Sequence, residues 1–456
     1  MNRRPPAMRA LALLTLLFAC VSARGQEKDA PKFEVGAQFS SLSVTLPENY
    51  GATNLTGFGA RLSYNLNDHV ALEAEGNFFA NELMFSDISA GGRTVQTQFG
   101  VKAGKRWERF GVFAKARPGF VSFGETLKIT QGVDTLPGGR TIPSAVFGVE
   151  RKTHLTLDVG GVLEFYPSRR VLVRFDAGDT LIRYGERNAL DYGGPGPIVL
   201  IPREWRPVGK APAQIKHNFQ FSAGIAFRFM EPEGDDASTA TPSSSNTNSE
   251  DAPRFEVGAQ FTSLAVNLPD PVFGFLVISP GDPGTDPEAG FGARFTYNLN
   301  DHIGLEAEGN FFPRQHYPGQ TFGGFPVQAQ FGAKAGKRWE RFGVFAKGRP
   351  GFISFSRVRQ LVGTEQITFA NPGGDPFVFT VGIFEAKRKT YFSMDVGGVF
   401  EMYPSRRLMT RFDFGDTIIR YGRRHEQTFF LSQNVLEIAP ETKHNFQFSA
   451  GIGFRF

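Results

Sequence analysis

The chain has 456 residues, room for two or three ordinary domains. Its formal charge of +5 is spread along the sequence without a basic block, which argues against a nucleic-acid partner. The 48 Phe and 53 Gly, against 7 Met and 3 Trp, favour β structure, where Phe suits a pleated face and Gly suits bends and close contacts.

At the N-terminus Arg3, Arg4 and Arg9 precede the apolar run ALALLTLLFA, and the small residues of VSARG follow. This pattern predicts a secretory signal peptide over residues 1–25, cut after Ala23 or Gly25. Cys20, the sole cysteine, stands in LFAC, a partial match to a bacterial lipobox, so lipidation is the alternative to a plain signal peptide. Beyond it no cysteine remains for a disulfide or thiolate metal site. No later apolar run approaches the ~20 residues of a spanning helix.

The rest of the chain is written twice. FEVGAQFSSLSVTLP from Phe33 returns as FEVGAQFTSLAVNLP from Phe255, and KAGKRWERFGVFAKARPGF from Lys102 returns from Lys334 with one change. YNLNDHVALEAEGNFF and RFDAGDTLIRYG have close copies from Tyr297 and Arg411. The copies occupy 32–229 and 254–456, separated by a polar, acidic, Ser/Thr/Pro-rich stretch at 230–253 that reads as a flexible linker. Repeats of about 200 residues are duplicated domains, since solenoid periods run to ~20–50.

In chain order the first copy predicts eight strands, near 32–46, 57–66, 68–80, 94–106, 109–124, 151–166, 171–184 and 216–229. Period-two alternation carries the assignment: Val70, Leu72, Ala74 and Phe78 share one side, with Glu73, Glu75 and Asn77 on the other. These strands are long enough to cross a bilayer at a tilt, which takes ~9–11 residues. Three connections are tight (YNLNDH, KRWERF, YPSRR), whereas the others, such as those after Gly124 and Gly185, are longer and rich in Gly and Pro. Short turns at one end and long loops at the other distinguish an outer-membrane barrel from a soluble lipocalin-like one.

Each copy closes on alternating aromatics and a final Phe, in NFQFSAGIAFRF and NFQFSAGIGFRF. With the strand lengths and loop asymmetry, this resembles the small eight-stranded outer-membrane barrels of Gram-negative bacteria, the OmpA/OmpX-like group, over nearly the whole mature chain. The resemblance implies that the closing strand is read by the barrel-assembly machinery, a role falling on Phe454 and Phe456, with Phe229 at the matching internal place. The expected fold is all-β: two tandem eight-stranded antiparallel transmembrane barrels. One sixteen-stranded barrel is the alternative.

Lipid cannot satisfy backbone polar groups, so the sheet must close and turn its apolar side outward. The first lumen should then hold Glu34, Arg61, Glu73, Glu75, Lys102, Lys115, Arg117, Asp158, Glu164, Arg174, Asp176 and Arg228. The second should hold Glu256, Arg294, Glu306, Glu308, Lys334, Lys347, Arg349, Asp395, Glu401, Arg411, Asp413 and Arg455. Acids and bases balance in each set, as a side-chain-filled lumen requires of buried charge. Simple alternation would leave Asp179 and Arg183 facing lipid, so a bulge at Gly178, and likewise at Gly415, is expected to turn them inward. The alternative places both at the outer rim.

Catalytic readings are weak. Glu73, Glu75 and Asp158 could form an acid–base site, but neighbouring Arg and Lys favour a structural role. His69, His217, His302 and His444 recur in both copies without a serine at evident base–nucleophile spacing, and the lumen residue His154 is matched by Tyr391. No metal-ligand spacing occurs, and no cofactor is expected. Trp107 and Trp339 read as interfacial anchors. The expected protein is a bacterial outer-membrane barrel, exported by its signal peptide, with a structural or adhesive role carried by variable loops. Its expected partners are outer-membrane lipids, the assembly machinery and an unnamed loop ligand. A porin-like channel is the alternative, and an outer-membrane lipid hydrolase ranks below it.

Overall fold

A computed structural model describes residues 31–47, 52–79, 92–136, 138–190, 208–229, 253–269, 286–313, 322–369, 376–427 and 435–456. The expected signal peptide with Cys20, and the expected linker except Pro253, lie outside these residues. The first copy contains β1 (Phe33–Thr45), β2 (Ala52–Asn65), β3 (Val70–Phe79), β4 (Thr94–Arg106), β5 (Phe110–Thr135), β6 (Thr141–Phe165), β7 (Val171–Tyr184), β8 (Arg187–Leu190), β9 (Val208–Ala211), β10 (Gln214–Lys216) and β11 (Phe219–Phe229). The second contains β12 (Phe255–Val266), β13 (Asp286–Asn298), β14 (Ile303–Phe311), β15 (Phe322–Arg338), β16 (Phe342–Phe369), β17 (Phe377–Met402), β18 (Leu408–Tyr421), β19 (Arg424–Gln427), β20 (Val435–Ile438), β21 (Glu441–Lys443) and β22 (Phe446–Arg455).

Each copy closes on itself. Strands β1 to β7 pair in sequence, and β11 completes the ring by pairing with both β7 and β1. In the second copy β12 to β18 pair in order and β22 joins β18 to β12. These are two eight-stranded antiparallel barrels, and the sixteen-stranded alternative is set aside. One extra strand, β10 or β21, runs beside the ring in each copy, and the small hairpins β8–β9 and β19–β20 stand apart.

The tight turns are built by side chains. Asn67 Oδ1 accepts from the backbone N–H of His69 and Val70, both at 2.8 Å, and Asn300 repeats this before His302 and Ile303. Trp107 and Trp339 stack on Phe110 and Phe342 at the next turn. Ser168 and Ser405 accept from Val171 N–H and Leu408 N–H in YPSRR and its copy.

Two expectations are corrected here. The stretch after Gly124 is no loop: β5 and β6 continue past the barrel as a long hairpin, turning near Gly138 and Gly139, whose φ values of 102° and 78° suit glycine. β16 and β17 do the same. The bulge expected at Gly178 and Gly415 is also absent: pairing runs unbroken through Gly160↔Gly178 and Gly397↔Gly415. Among the described pairings of β5 with β6, the register shift falls between Phe123 and Thr126, where the hairpin leaves the ring. The glycines serve strand approach instead, since a Cβ on Gly160 would lie 2.2 Å from the Ala177 carbonyl oxygen. Asp179 and Arg183 therefore stay on the outer side, toward the long-loop end.

A third difference concerns the outer face. Phe58, Phe99 and Phe227 are 63%, 55% and 59% exposed, as lipid-facing residues should be. Phe39, Phe175, Phe221 and Ala223 share that outward side yet are buried, because they pack against Phe261, Phe412, Phe448 and Ala450 of the second barrel. Phe39 stacks on Phe448 and Phe221 on Phe261, each pair with ring centroids 4.0 Å apart, while Phe175 meets its own counterpart Phe412 at 6.0 Å. Equivalent residues exchange partners across this contact, the signature of a two-fold related interface.

Candidate functional site: the charged lumen

The inward residues form layers. At the short-turn end Lys102 pairs with Glu164 and lies 3.4 Å from Glu34. Arg106 reaches Glu34 at 3.3 Å and donates to the Tyr166 hydroxyl at 3.1 Å, which in turn donates to Glu164 at 2.8 Å. Arg228 approaches Glu34 at 3.6 Å from the closing strand.

The next layer is held by two arginines. Arg174 clamps Glu73 through both terminal nitrogens, Nη2 at 2.9 Å, and also contacts Asp176 at 2.8 Å. Arg117 donates to Asp158 from Nε at 3.0 Å and Nη2 at 2.6 Å, and pairs with Glu75. Lys115 lies 2.9 Å from Asp158, and Arg61 lies 3.3 Å from Asp176 and 2.8 Å from Gln38. Above the charges runs an amide layer: Gln38 donates to Asn77 at 2.9 Å, Asn77 to Gln96 at 3.0 Å, and Gln96 to Gln220 at 2.9 Å.

The second lumen repeats this set. Arg411 clamps Glu306 and Asp413, Arg349 holds Asp395 and Glu308, and Lys347 lies 2.8 Å from Asp395. Lys334 pairs with Glu401 and with Glu256 at 3.1 Å; Arg294 meets Asp413 at 3.4 Å, and Arg455 meets Glu256 at 3.6 Å. Of the 24 charged positions assigned to the lumens, 23 are buried and Arg228 is partly exposed at the mouth.

Toward the long-loop end the lumen changes character. Leu42, Val44, Leu55, Phe79, Val121, Phe123, Ile182 and Tyr184 converge into an apolar plug over the charges. Leu264, Val266, Phe312, Ile353, Phe355, Tyr391, Ile419 and Tyr421 do so in the second barrel. His154 sits in the first plug, 4.7 Å from the Tyr184 ring and 5.8 Å from that of Phe123. Inward side chains thus fill each barrel from ion pairs through amides to hydrocarbon. Buried charge survives there because each side chain meets an opposite charge, where an orphan would cost several kcal/mol.

Sequence reading missed Arg106 and Arg338, although Arg106 stands at the same strand parity as Lys102. It also missed Tyr166 and Tyr403, which stand where the expected strand meets the YPSRR turn and its copy and are hydrogen-bonded to Glu164 and Glu401 at 2.8 Å. The recurring histidines do not enter this network: His217 and His444 lie outside it, with Nδ1 2.6 and 2.5 Å from Asp179 and Asp416. Among the described residues no cluster of three or more metal-ligating side chains occurs.

Residues 10–196 match the family model described as outer membrane protein beta-barrel domain. No curated protein matches the chain. Among solved structures, Neisserial surface protein A is similar at 14% identity over 44% of this chain and all of that one, with a TM-score of 0.26. The N-terminal barrel of Pseudomonas aeruginosa OprF is similar at 11% over 44% and 100%, TM-score 0.23. Yersinia pestis Ail, the attachment invasion locus protein, is similar at 12% over 45% and 99%, TM-score 0.24. The residues matched by the outer membrane protein beta-barrel domain, 10–196, include seven of the eight ring strands of the first barrel, and the second barrel repeats that ring.

Proposed function

We propose that this outer-membrane barrel protein is a paired surface scaffold: two plugged barrels that hold long-loop ends outward for structural or adhesive contact. The observation that carries this reading is the filling of both lumens, by ion pairs below and by an apolar plug above. A solute path would have to break buried pairs, each at a cost of several kcal/mol. Recognition then falls to the long-loop end, where the hairpins of β5–β6 and β16–β17 rise past the barrels and differ in sequence between copies. Variable loops on a rigid sheet are a common way to carry binding.

In this reading the 1–25 leader directs export, Phe454 and Phe456 are presented to the assembly machinery, and outer-membrane lipids surround the pair. Phe456 closes the second ring by exchanging two backbone hydrogen bonds of 2.9 Å with Phe255. The test is planar-bilayer conductance of the refolded full chain beside whole-cell binding to surfaces. A scaffold gives no steady conductance but loses binding when the β5–β6 hairpin tip is exchanged. Steady ion-selective conductance would instead favour a channel.

A further inference from the structure

Asp179 and Arg183 break the apolar outer face of β7, and the absence of a bulge leaves them outside. Their surroundings give them a level. On the outer side of β5 the apolar residues run from Phe110 to Phe120, followed by Ser122. Ten residue steps at ~3.3 Å and a ~40° tilt make a band about 25 Å tall, the usual height for an outer-membrane barrel. The upper limit of that band falls at the same register on β6 and one outward position lower on β7. Leu155 gives way to Thr153 and Arg151 on β6, and Leu181 gives way to Arg183 on β7. In the second copy Phe392 gives way to Thr390 and Arg388, and Ile418 to Arg420.

Arg183 is exposed and stands in register between Leu155 and Ile215, which are 54% and 62% exposed on the same outer side. Arg420 stands opposite Phe392, 57% exposed. Asp179 and Asp416 are engaged with His217 and His444. Among the described residues no carboxylate lies within ion-pair distance of Arg151, Arg183, Arg388 or Arg420, though Arg151 donates to Ser122 Oγ at 3.4 Å. A guanidinium flanked by hydrocarbon-seeking side chains extends its head toward the headgroups and needs an anion there.

We infer that Arg151 and Arg183, with their copies Arg388 and Arg420, bind phosphate groups of lipid headgroups in the leaflet at the long-loop end. Planar bidentate donors suit phosphate, and the same residues recur in both barrels while the loops above them diverge. The arginines would thereby set the depth of each barrel and gather phosphate-bearing lipid around the pair.

The test uses the full chain in phosphatidylcholine vesicles containing 20 mol% phosphatidic acid (about one lipid in five), with spin-labelled lipids reporting relative affinity. The wild type should prefer phosphatidic acid. The R151Q/R183Q/R388Q/R420Q variant should lose that preference by about fivefold for each arginine engaged. R151Q/R183Q alone should lose part of it, which keeps the test open if the fourfold variant does not fold. Preference unchanged in both variants would overturn the inference, as would an equal loss in K105Q/K337Q at the short-turn end. If millimolar inositol hexaphosphate displaced the lipid from the wild type, the arginines would serve a soluble polyanion, which also overturns it.

Discussion

Replacing Arg174 by Ala removes the clamp on Glu73 and the contacts to Asp176, three side chains that are all buried. Asp176 keeps Arg61 at 3.3 Å and Lys115 at 3.6 Å, and Glu73 keeps Lys102 and Arg117, both at 3.6 Å, so neither acid is fully orphaned. Breaking one partner of a buried pair costs about 3–5 kcal/mol, and the remaining cations place this variant near 3. With a urea dependence of about 2 kcal/mol/M, the midpoint should fall by about 1.5 M. The assay is urea unfolding in detergent micelles, in a Trp205→Phe background. Trp107 then reports the first barrel and Trp339 the second. Only the Trp107 transition should move, and R411A should move only that of Trp339. Adding Glu73→Gln to R174A should recover part of the loss, because it removes the charge left with weaker partners. A midpoint shift below about 0.5 M, or one shared by both tryptophans, would refute the reasoning that each lumen is a separate buried ion core.

Other outcomes follow from the same structure. Gly160→Ala should prevent closure, with its Cβ 2.2 Å from a carbonyl oxygen, whereas Gly161→Ala, with nothing within 4 Å, should fold normally; heat-modifiability on SDS gels distinguishes them. Phe123→Ala opens a cavity in the apolar plug and should cost about 3–5 kcal/mol in the first barrel's urea transition without opening a conducting path, since the ion layer beneath is intact. In a chain lacking Cys20, F39C/F448C should cross-link within one chain, because the native rings stack at 4.0 Å. A cross-link formed only between chains would contradict the barrel-to-barrel contact.

Strands, closure and parity of the lumen were legible because alternation is a local signal: Glu73, Glu75 and Asn77 declare one side of β3 without reference to any other strand. Arg106 obeyed the same parity but was the last residue of the expected strand 94–106, where a pattern of two has too few repeats to decide which side it faces. The contact between barrels was not legible. Phe39 and Phe221 carry the residue type that suits lipid, and a neighbouring barrel presents the same hydrocarbon chemistry, so type alone does not separate them. The hairpin beyond Gly124 was hidden by its Gly and Pro content, although the Gly138–Gly139 pair marks its turn. The expected bulge at Gly178 failed because it was invoked to spare lipid two charges, whereas Asp179 is paired with His217 on the outer side and Arg183 stands at the upper edge of the apolar band.

The central claim is that the chain carries two independently closed barrels, and cutting between them tests it most directly. A protease site placed within residues 230–253 would be cleaved after refolding, and the product run unheated and heated on an SDS gel. Each half should retain a compact band that unfolds only on boiling. Loss of both compact bands on cleavage, with the uncut chain still showing one, would mean that the halves complete each other and would contradict the account.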